Sequence, residues 1–284
     1  MSNSDKNINF NDEFFKKLDI QYSRSKDDIW KELEKSLDEK PEVKIVKHDF
    51  RRWLNLSIAA IILLFVGIVS FLRFYTIEIN CPNATHKVVE LPDGSKVTLN
   101  AGSELSYHPY WWKYKRQLQF TGEGFFEVTK GNKFEVVSER ATTTVLGTKF
   151  NIYSRNDAYR VFCLTGKVKV QTVINEATIL EPNDYTILNK QNQPVKAHNE
   201  SVTNSISWMN NEFVFTSAEL KLILEEVERQ YDIEIEGIDN LEGSTTCSFS
   251  KSNDPEDLLN NIILKPFGKK CKKINDKKYI LESK

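Results

Sequence analysis

Residues 54–72 read LNLSIAAIILLFVGIVSFL, and this run of 19 uncharged residues decides how the chain is organised. As an α-helix it would be about 28 Å long, close to the hydrocarbon thickness of a bilayer. Basic and aromatic residues of the kind found at membrane interfaces flank it as 51–53 (RRW) and 73–75 (RFY). The run therefore predicts one transmembrane helix. It is not expected to be a cleavable signal peptide, because no short basic region and small-residue cleavage site accompany it.

Lys and Arg are distributed unequally on the two sides of this helix. Residues 34–53 contain six of them, whereas residues 73–92 contain two. An excess of basic residues marks the cytoplasmic side of a membrane. We therefore expect a cytoplasmic arm at 1–53, the span at 54–72 and a large region beyond the membrane.

Composition limits the remaining possibilities. The 284 residues include 39 Lys+Arg and 40 Asp+Glu, for a net charge of -1, and 40% are hydrophobic. A chain of this length and apolar content can form about two folded units. The balanced charge provides no basic surface for phosphates, so we expect no direct binding of nucleic acid.

The cytoplasmic arm contains two stretches in which apolar residues recur at helical spacing. Ser25 and Asp28 resemble a capping box at the start of the second stretch, and Pro41 follows its end. Two interpretations stay open: a small helical hairpin or loose tail, and a segment that lays its apolar face in a partner's groove. Exposed Trp and Phe favour the second, since they are good interface anchors. The residues expected to contact the partner are Phe14, Phe15, Leu18, Ile29, Trp30, Leu33 and Leu37.

Beyond a linker at 73–87, residues 88–200 show short alternating runs separated by turn residues, which indicates half-buried strands. No helical periodicity interrupts them. We expect an all-β domain, either antiparallel or solenoid-like. Gly124, Gly147 and Gly166, at intervals of 23 and 19 residues, hint at a stacked repeat.

The pattern changes in residues 208–282, where strand and helix signals alternate. Ser217 is a possible N-cap for a first helix, and Asp254 followed by Pro255 is a favourable start for a second. The order of elements reads βαββαββ. This predicts a small C-terminal α+β domain with its helices on one sheet face.

Four stretches in order resemble the periplasmic domain of FecR-type anti-sigma regulators. They are LPDGSKVTLNAGSELSY (91–107), FTGEGFFEVTK (120–130), VLGTKFNIYS (145–154) and LTGKVKV (164–170). Residues 208–282 resemble the C-terminal domain that accompanies such domains in Bacteroidetes, which is similar to the short signalling module of secretins and TonB-dependent transducers. The chain is thus expected to be a multi-domain single-pass membrane protein.

The resemblance implies a regulatory function. Such proteins hold an extracytoplasmic-function sigma factor at the bacterial inner membrane through the cytoplasmic arm. The signalling domain of a substrate-loaded, TonB-dependent outer-membrane transporter contacts the periplasmic part, and the sigma factor becomes free. Some relatives instead promote their sigma factor after processing. The alternative is an envelope-anchored periplasmic interaction or carbohydrate-binding protein that binds no sigma factor.

No enzyme motif emerges from the sequence, and no cofactor is expected. The four His residues lie far apart, without the spacing of metal ligands, and no phosphate-binding loop is present. Gly147 and Thr148 form a pair at which the chain could cleave itself, since a Thr hydroxyl can attack the preceding carbonyl in an N-to-O acyl shift. Several FecR relatives are cleaved at a Gly-Thr pair. A turn Gly followed by a strand Thr is the simpler alternative.

The four cysteines, at positions 81, 163, 247 and 271, all lie beyond the membrane, where disulfides can form. Four cysteines allow three complete pairings, and the spacing does not choose among them. Cys247 and Cys271 share the C-terminal domain, so a bridge between them is possible, with buried free thiols as the alternative.

Overall fold

A computed structural model describes residues 23–38, 50–198 and 202–282 of the chain. Its contacts divide the chain into two compact units, Met1–Ala60 and Ile61–Lys284. In the first unit, helix α1 (Lys26–Asp38) begins as the sequence predicts. The Ser25 hydroxyl accepts a hydrogen bond from the Asp28 amide at 3.3 Å and donates one to the Asp28 carboxylate at 2.8 Å.

Helix α2 (Phe50–Phe74) contains the apolar run. Among the described residues, one segment, Trp53–Phe74, is long and apolar enough to cross a membrane; it has a mean hydropathy of 2.5 and none of it is buried. The hydroxyl of Ser57 donates to the Trp53 carbonyl at 2.8 Å, which satisfies this polar group inside the apolar run. The predicted span at 54–72 thus lies within a single continuous helix.

Thirteen strands form the β domain, and one long strand, β5, belongs to both of its sheets. The first half of β5 pairs with β4 and β6, and the second half pairs with β3 and β8. All neighbouring strands are antiparallel except β5 and β6. The strands are β1 (Ile77–Cys81), β2 (Lys87–Glu90), β3 (Lys96–Leu99), β4 (Ser103–Tyr107), β5 (Arg116–Glu127), β6 (Phe134–Val137), β7 (Ala141–Val145), β8 (Lys149–Arg155), β9 (Ala158–Thr165), β10 (Val168–Thr172), β11 (Ala177–Leu180), β12 (Asp184–Leu188) and β13 (Pro194–His198).

The two sheets are here called sheet A, in the order β1-β4-β5-β6-β7-β10-β11, and sheet B, in the order β2-β3-β5-β8-β9-β12-β13. The hairpins β6-β7, β8-β9, β10-β11 and β12-β13 are added alternately to A and B. Gly122 lies where β5 passes between the sheets, with a φ of +113°, and a Cβ there would be 2.4 Å from the Ser103 hydroxyl. Gly147 and Gly166 lie at turns between the sheets, whereas Gly124 lies within β5, so the three glycines do not occupy equivalent repeat positions.

Aromatic side chains fill the space between the sheets. The rings of Phe126 and Phe150 stack with centroids 5.0 Å apart, and Phe120 meets Phe126 edge to face at 5.2 Å. All three are buried, together with Phe134 and Tyr159. The predicted all-β character of this region is confirmed. The predicted linker at 73–87 is corrected, because it contains β1, which pairs with β4 along its whole length.

The C-terminal region is built from short elements in the order β-α-β-β-α-β-β. Strands β14 and β16 pair with each other, while β15, β18 and β17 form a separate sheet, so the strands do not form one sheet with both helices on its face. The elements are β14 (Glu212–Glu219), α3 (Leu220–Tyr231), β15 (Glu234–Glu236), β16 (Ser244–Ser250), α4 (Pro255–Asp257) continuing as a π-helical segment (Leu258–Ile263), β17 (Cys271–Asn275) and β18 (Lys278–Leu281).

Helix α3 supplies the centre of the C-terminal core. Its buried face includes Leu220, Ile223 and Val227. The same apolar cluster contains Phe125 from β5, so the C-terminal region packs directly on sheet B. The two regions beyond the span therefore share a hydrophobic cluster, within the single unit Ile61–Lys284.

Candidate functional site

Helix α1 presents an unpartnered apolar face in the described part of the chain. Ile29, Leu33 and Leu37 follow one another at intervals of four residues, and Trp30 lies beside them. Trp30 is 65% exposed and Leu37 is 72% exposed, and no residue of the helix is buried. Four large apolar side chains on one helix face in water favour contact with a partner. The other predicted contact residues, Phe14, Phe15 and Leu18, lie outside the described residues.

A buried polar cluster joins the β domain to helix α3, and no sequence motif marks it. Asn100, in the turn between β3 and β4, is fully buried. Its side-chain amide donates to Glu123 at 2.9 Å and to Glu226 at 3.4 Å, and its carbonyl oxygen accepts from Gln230 at 2.8 Å. Gln230 also donates to Glu226 at 2.7 Å. One asparagine thus connects carboxylates on two different domains.

Two arginines balance the charge of this cluster. Arg229 donates to the Glu226 carboxylate at 2.9 Å and 3.1 Å. Arg155 donates to the carbonyls of Ala101 at 2.6 Å and Gly102 at 3.0 Å, in the same turn as Asn100. Burial would raise the pKa of Glu226, but the positive charges of Arg155 and Arg229 and the bond from Gln230 hold that pKa below its ordinary value.

The second carboxyl of the cluster behaves in the opposite way. Burial raises the pKa of Glu123, and the negative charge of Glu226 raises it further. Two neighbouring carboxyls in a poorly solvated site cannot both ionise easily, so their pKa values are driven apart. The cluster therefore favours a charged Glu226 next to a Glu123 that takes up a proton more readily than an exposed Glu.

A cavity of about 310 Å³ lies beside this cluster, between sheet B and the C-terminal domain. Tyr153 and Arg160 line it on the β-domain side, and the Arg160 guanidinium lies 4.4 Å from the centre of the Tyr153 ring. Trp208 and Phe213 line the other side. The Trp208 indole donates to Asn151 at 3.3 Å, which adds another contact between the domains.

The Gly147-Thr148 pair lies between β7 and β8. A Cβ on Gly147 would be 2.7 Å from the Cα of Lys130, so this glycine permits a close approach of backbones. Thr148 is 3% exposed, and its hydroxyl donates to the Lys167 carbonyl at 3.1 Å. The hydroxyl is thus held by an acceptor that is not a base.

All four cysteines are free thiols. Cys247 lies on β16 and Cys271 on β17, and these strands belong to different sheets. Cys247 and Cys271 are therefore not cross-strand neighbours. Burial raises the pKa of Cys271 to about 11, which suits an unreactive packed thiol. Across residues 23–38, 50–198 and 202–282, no group of three or more His, Cys, Asp or Glu could hold a metal ion.

Comparison with known families identifies the β domain. Residues 78–169 match the family described as FecR protein. This part of the chain is similar to FecR proteins, and the β domain is here called the FecR domain. This match begins within β1 and ends within β10, so it includes most of the strand that lies in the predicted linker.

Two solved structures extend the similarity beyond the FecR domain. Both are crystal structures of "a putative anti-sigma factor" from Parabacteroides distasonis, at 2.50 Å and 1.65 Å. Each has a TM-score of 0.66 and 26% sequence identity to this chain. The first match covers 74% of this chain and 100% of the other, and the second covers 73% and 99%. No curated protein matches the sequence. Together, the FecR match and these structures support a FecR-type anti-sigma factor.

Proposed function

We propose that this protein is a single-pass inner-membrane anti-sigma factor that binds an extracytoplasmic-function sigma factor inside the cell. The proposal rests mainly on the FecR domain together with the similarity to the Parabacteroides distasonis structures. The exposed apolar face of α1 supports it, because a sigma-binding arm needs a surface that is free until its partner arrives.

The α1 face has the chemistry of a helix that binds in a groove. Trp30 would be the main anchor, since Trp contributes strongly at the centres of interfaces. Burying Ile29, Leu33 and Leu37 would each contribute roughly 1.5–3 kcal/mol before the costs of association. The opposite face carries Lys31 and Lys35, which would stay in water.

The membrane-crossing step follows from α2 and its flanks. The 22-residue apolar segment has the length to span a bilayer, and the Lys/Arg bias favours α1 in the cytoplasm and the FecR domain in the periplasm. In this arrangement, one helix connects the sigma-binding arm to the sensing region.

On the periplasmic side, we propose that the signalling domain of a TonB-dependent outer-membrane transporter contacts the C-terminal domain. The buried cluster around Asn100 and Glu226 supports the next step, because it ties α3 to the FecR domain. A contact that displaces α3 would break the hydrogen bonds that join Glu226 and Gln230 to Asn100 in the β3-β4 turn. The signal would then pass through the FecR domain to α2.

The test is co-purification of the tagged full-length chain, in detergent, with each extracytoplasmic-function sigma factor of its own genome. Trp30→Ala and Leu33→Asp are expected to weaken the complex at least tenfold. Lys31→Ala, on the opposite face of α1, is the matched control and should leave binding unchanged. Circular dichroism of the variants checks that α1 still forms.

Equal binding by both α1 variants and the control would overturn the assigned interface. No binding by the unchanged chain to any sigma factor would overturn the anti-sigma proposal. An envelope interaction protein that binds no sigma factor would also keep its function without residues 1–53, whereas the proposed signal relay would lose its function.

A further inference from the structure

The loop between β4 and β5, residues 108–115 (HPYWWKYK), is the most aromatic short segment of the FecR domain surface. Pro109–Trp111 form a 3₁₀ turn. Trp112 points into the core, where it packs edge to face on Tyr107 at 5.4 Å and on Phe134 at 5.7 Å. This buried anchor fixes the position of the loop.

With Trp112 buried, the other aromatic residues of the loop face outward. Tyr110 is 55% exposed and Tyr114 is 74% exposed, while Trp111 is half-buried and its ring lies 4.8 Å from that of Tyr114. Large exposed aromatic side chains side by side are unusual on a soluble surface unless they contact something. Tyr110 and Tyr114 are not part of the buried core of the domain.

The loop contacts the end of the apolar helix α2. The Arg73 guanidinium lies 4.9 Å from the centre of the Trp111 ring, and the rings of Tyr75 and Tyr110 are 5.5 Å apart. On the same side, His108 Nδ1 lies 3.1 Å from the Tyr75 carbonyl. The exposed aromatic residues are therefore beside the last turn of α2, where a spanning helix leaves the hydrocarbon.

The charged side chains of the loop are all positive. Lys113 and Lys115 are exposed, and residues 105–122 contain no Asp or Glu. Tyr and Trp favour the headgroup region of a bilayer, and neighbouring Lys side chains can reach lipid phosphates. Only Tyr75 and Thr76 separate α2 from β1, so the loop cannot move far from the membrane surface if α2 spans it.

We propose that residues 108–115 form a membrane-binding loop that inserts Tyr110, Trp111 and Tyr114 among the headgroups of the bilayer's phospholipids. Lys113 and Lys115 bind the lipid phosphates. This proposal rests on the membrane-spanning role of α2 in the proposed function. Its consequence is that the FecR domain is held against the bilayer at two places, the helix and the loop.

The test measures the depth of single nitroxide labels on the full-length chain in nanodiscs of phosphatidylethanolamine and phosphatidylglycerol. Labels are placed by Tyr114→Cys in the loop, Val66→Cys in the middle of α2 and Val173→Cys in the β10-β11 turn. The register of sheet A puts that turn at the opposite end from the loop. The turn follows Thr172, which pairs with Ala141 at the start of β7. The other end of β7 pairs with the start of β6, which in turn pairs with Arg116, the residue after the loop. The unmutated chain gives the background from its native thiols, three of which are buried.

The Val66→Cys label is expected to be accessible to oxygen and shielded from a water-soluble nickel chelate. The Tyr114→Cys label should be at least threefold less accessible to the chelate than the Val173→Cys label. Replacing Lys113 and Lys115 by Glu should reduce that shielding.

Three outcomes would overturn the loop proposal. In the first, the Tyr114 and Val173 labels are equally accessible to the chelate while the Val66 label is shielded from it. This result refutes membrane binding by the loop and leaves the membrane-spanning role of α2 intact. In the second, the Val66 label is also accessible, which overturns the span itself. In the third, Tyr114 is shielded only in discs that hold two copies and shows spin–spin broadening there, which assigns the loop to protein contact.

Discussion

Glu226 is one of the residues that tie α3 to the FecR domain, and it is 4% exposed. We expect Glu226→Ala to cost about 3 kcal/mol of unfolding free energy, because it removes the carboxylate to which Arg229 donates and one of the two acceptors of the buried Asn100 amide. Chemical denaturation of the full-length chain in detergent measures this. Glu226→Gln, which keeps the shape and one acceptor, should lose less, and Glu242→Ala in an exposed loop should lose almost nothing. Equal losses in Glu226→Ala and Glu242→Ala would contradict the role of the cluster.

Asp184 gives a prediction for the dependence of stability on pH. Lys196 at 2.5 Å, His198 at 3.0 Å and the Glu181 amide at 2.9 Å lower the pKa of its carboxyl, in that order of effect. Because the folded pKa lies below the unfolded value of about 3.9, the stabilisation is present above that pH and is lost as the pH falls below it.

Asp184→Asn should therefore be less stable than the unchanged chain at pH 7, and the difference should shrink as the pH falls from 5 to 2. Thermal unfolding followed by tryptophan fluorescence at several pH values measures this. A difference of the same size at pH 7 and pH 2 would show that the carboxylate charge is not responsible.

Self-cleavage at Gly147-Thr148 stays a proposal. The Thr148 oxygen would attack the Gly147 carbonyl, the peptide C–N bond would break to leave a free amine and an ester, and water would hydrolyse the ester. The proposal predicts two fragments, 1–147 and 148–284, on a denaturing gel, and their disappearance in Thr148→Ala. A single intact band from the unchanged chain would contradict it. The buried hydroxyl, bound to a carbonyl, has no base to activate it among its described contacts.

At the scale of elements, the N-cap at Asp254 and the following proline determine where α4 begins. The Asp254 carboxylate accepts from the amides of Glu256 at 3.0 Å and Asp257 at 3.1 Å, and Pro255 occupies the first helical position. Asp254→Ala should cost about 1 kcal/mol of unfolding free energy, measured by denaturant titration. Glu256→Ala, which removes a neighbouring charge but not the cap, is the matched control. If the two variants were equally stable, the cap would contribute nothing.

Several elements could be predicted from the sequence because their signals are local. The Ser25 cap, the apolar helix and the β3 strand at Lys96–Leu99 follow from side-chain chemistry and periodicity within a few residues. The exposed face of α1 was likewise predictable, since Ile29, Trp30, Leu33 and Leu37 have helical spacing. These features do not depend on distant parts of the chain.

Other elements were mispredicted because distant contacts decide them. Strand β1 alternates apolar and polar residues over only five positions (Ile77–Cys81), and its partner β4 lies 22 to 30 positions further along the chain. Ser217 is not an N-cap: it lies in β14 where the register with β16 shifts, with a φ of +48°, and α3 begins at Leu220. The Asn100-Glu226 contact joins residues 126 positions apart, so no local pattern could reveal it.

At the scale of the whole molecule, the arrangement of the chain across the membrane is directly testable. We expect Val173→Cys to react with a membrane-impermeant maleimide in intact spheroplasts, and Ser23→Cys to react only after lysis. The reason is the excess of Lys and Arg before the apolar helix. The unmutated chain controls for its native cysteines.

Labelling of Ser23→Cys before lysis, with Val173→Cys protected, would reverse the orientation and exclude a cytoplasmic sigma factor as partner of α1. Labelling of both before lysis would exclude a membrane crossing. Because the two substituted positions are exposed in the structure, protection of either one reports on the membrane rather than on burial in the protein.

Sharing one strand between two sheets has a consequence for how such a domain can be engineered and can diverge. Because β5 belongs to both sheets, neither sheet can be replaced on its own by the corresponding sheet of a homologue. The replacement sheet would include the homologue's β5, and the sheet that is kept needs the original β5. Chimeras are better made at the β10-β11 turn, which joins two strands of sheet A alone and whose apolar residues Val173 and Ile174 face water. A sequence change in β5 must suit both partners at once, whereas the outer hairpins are free to vary.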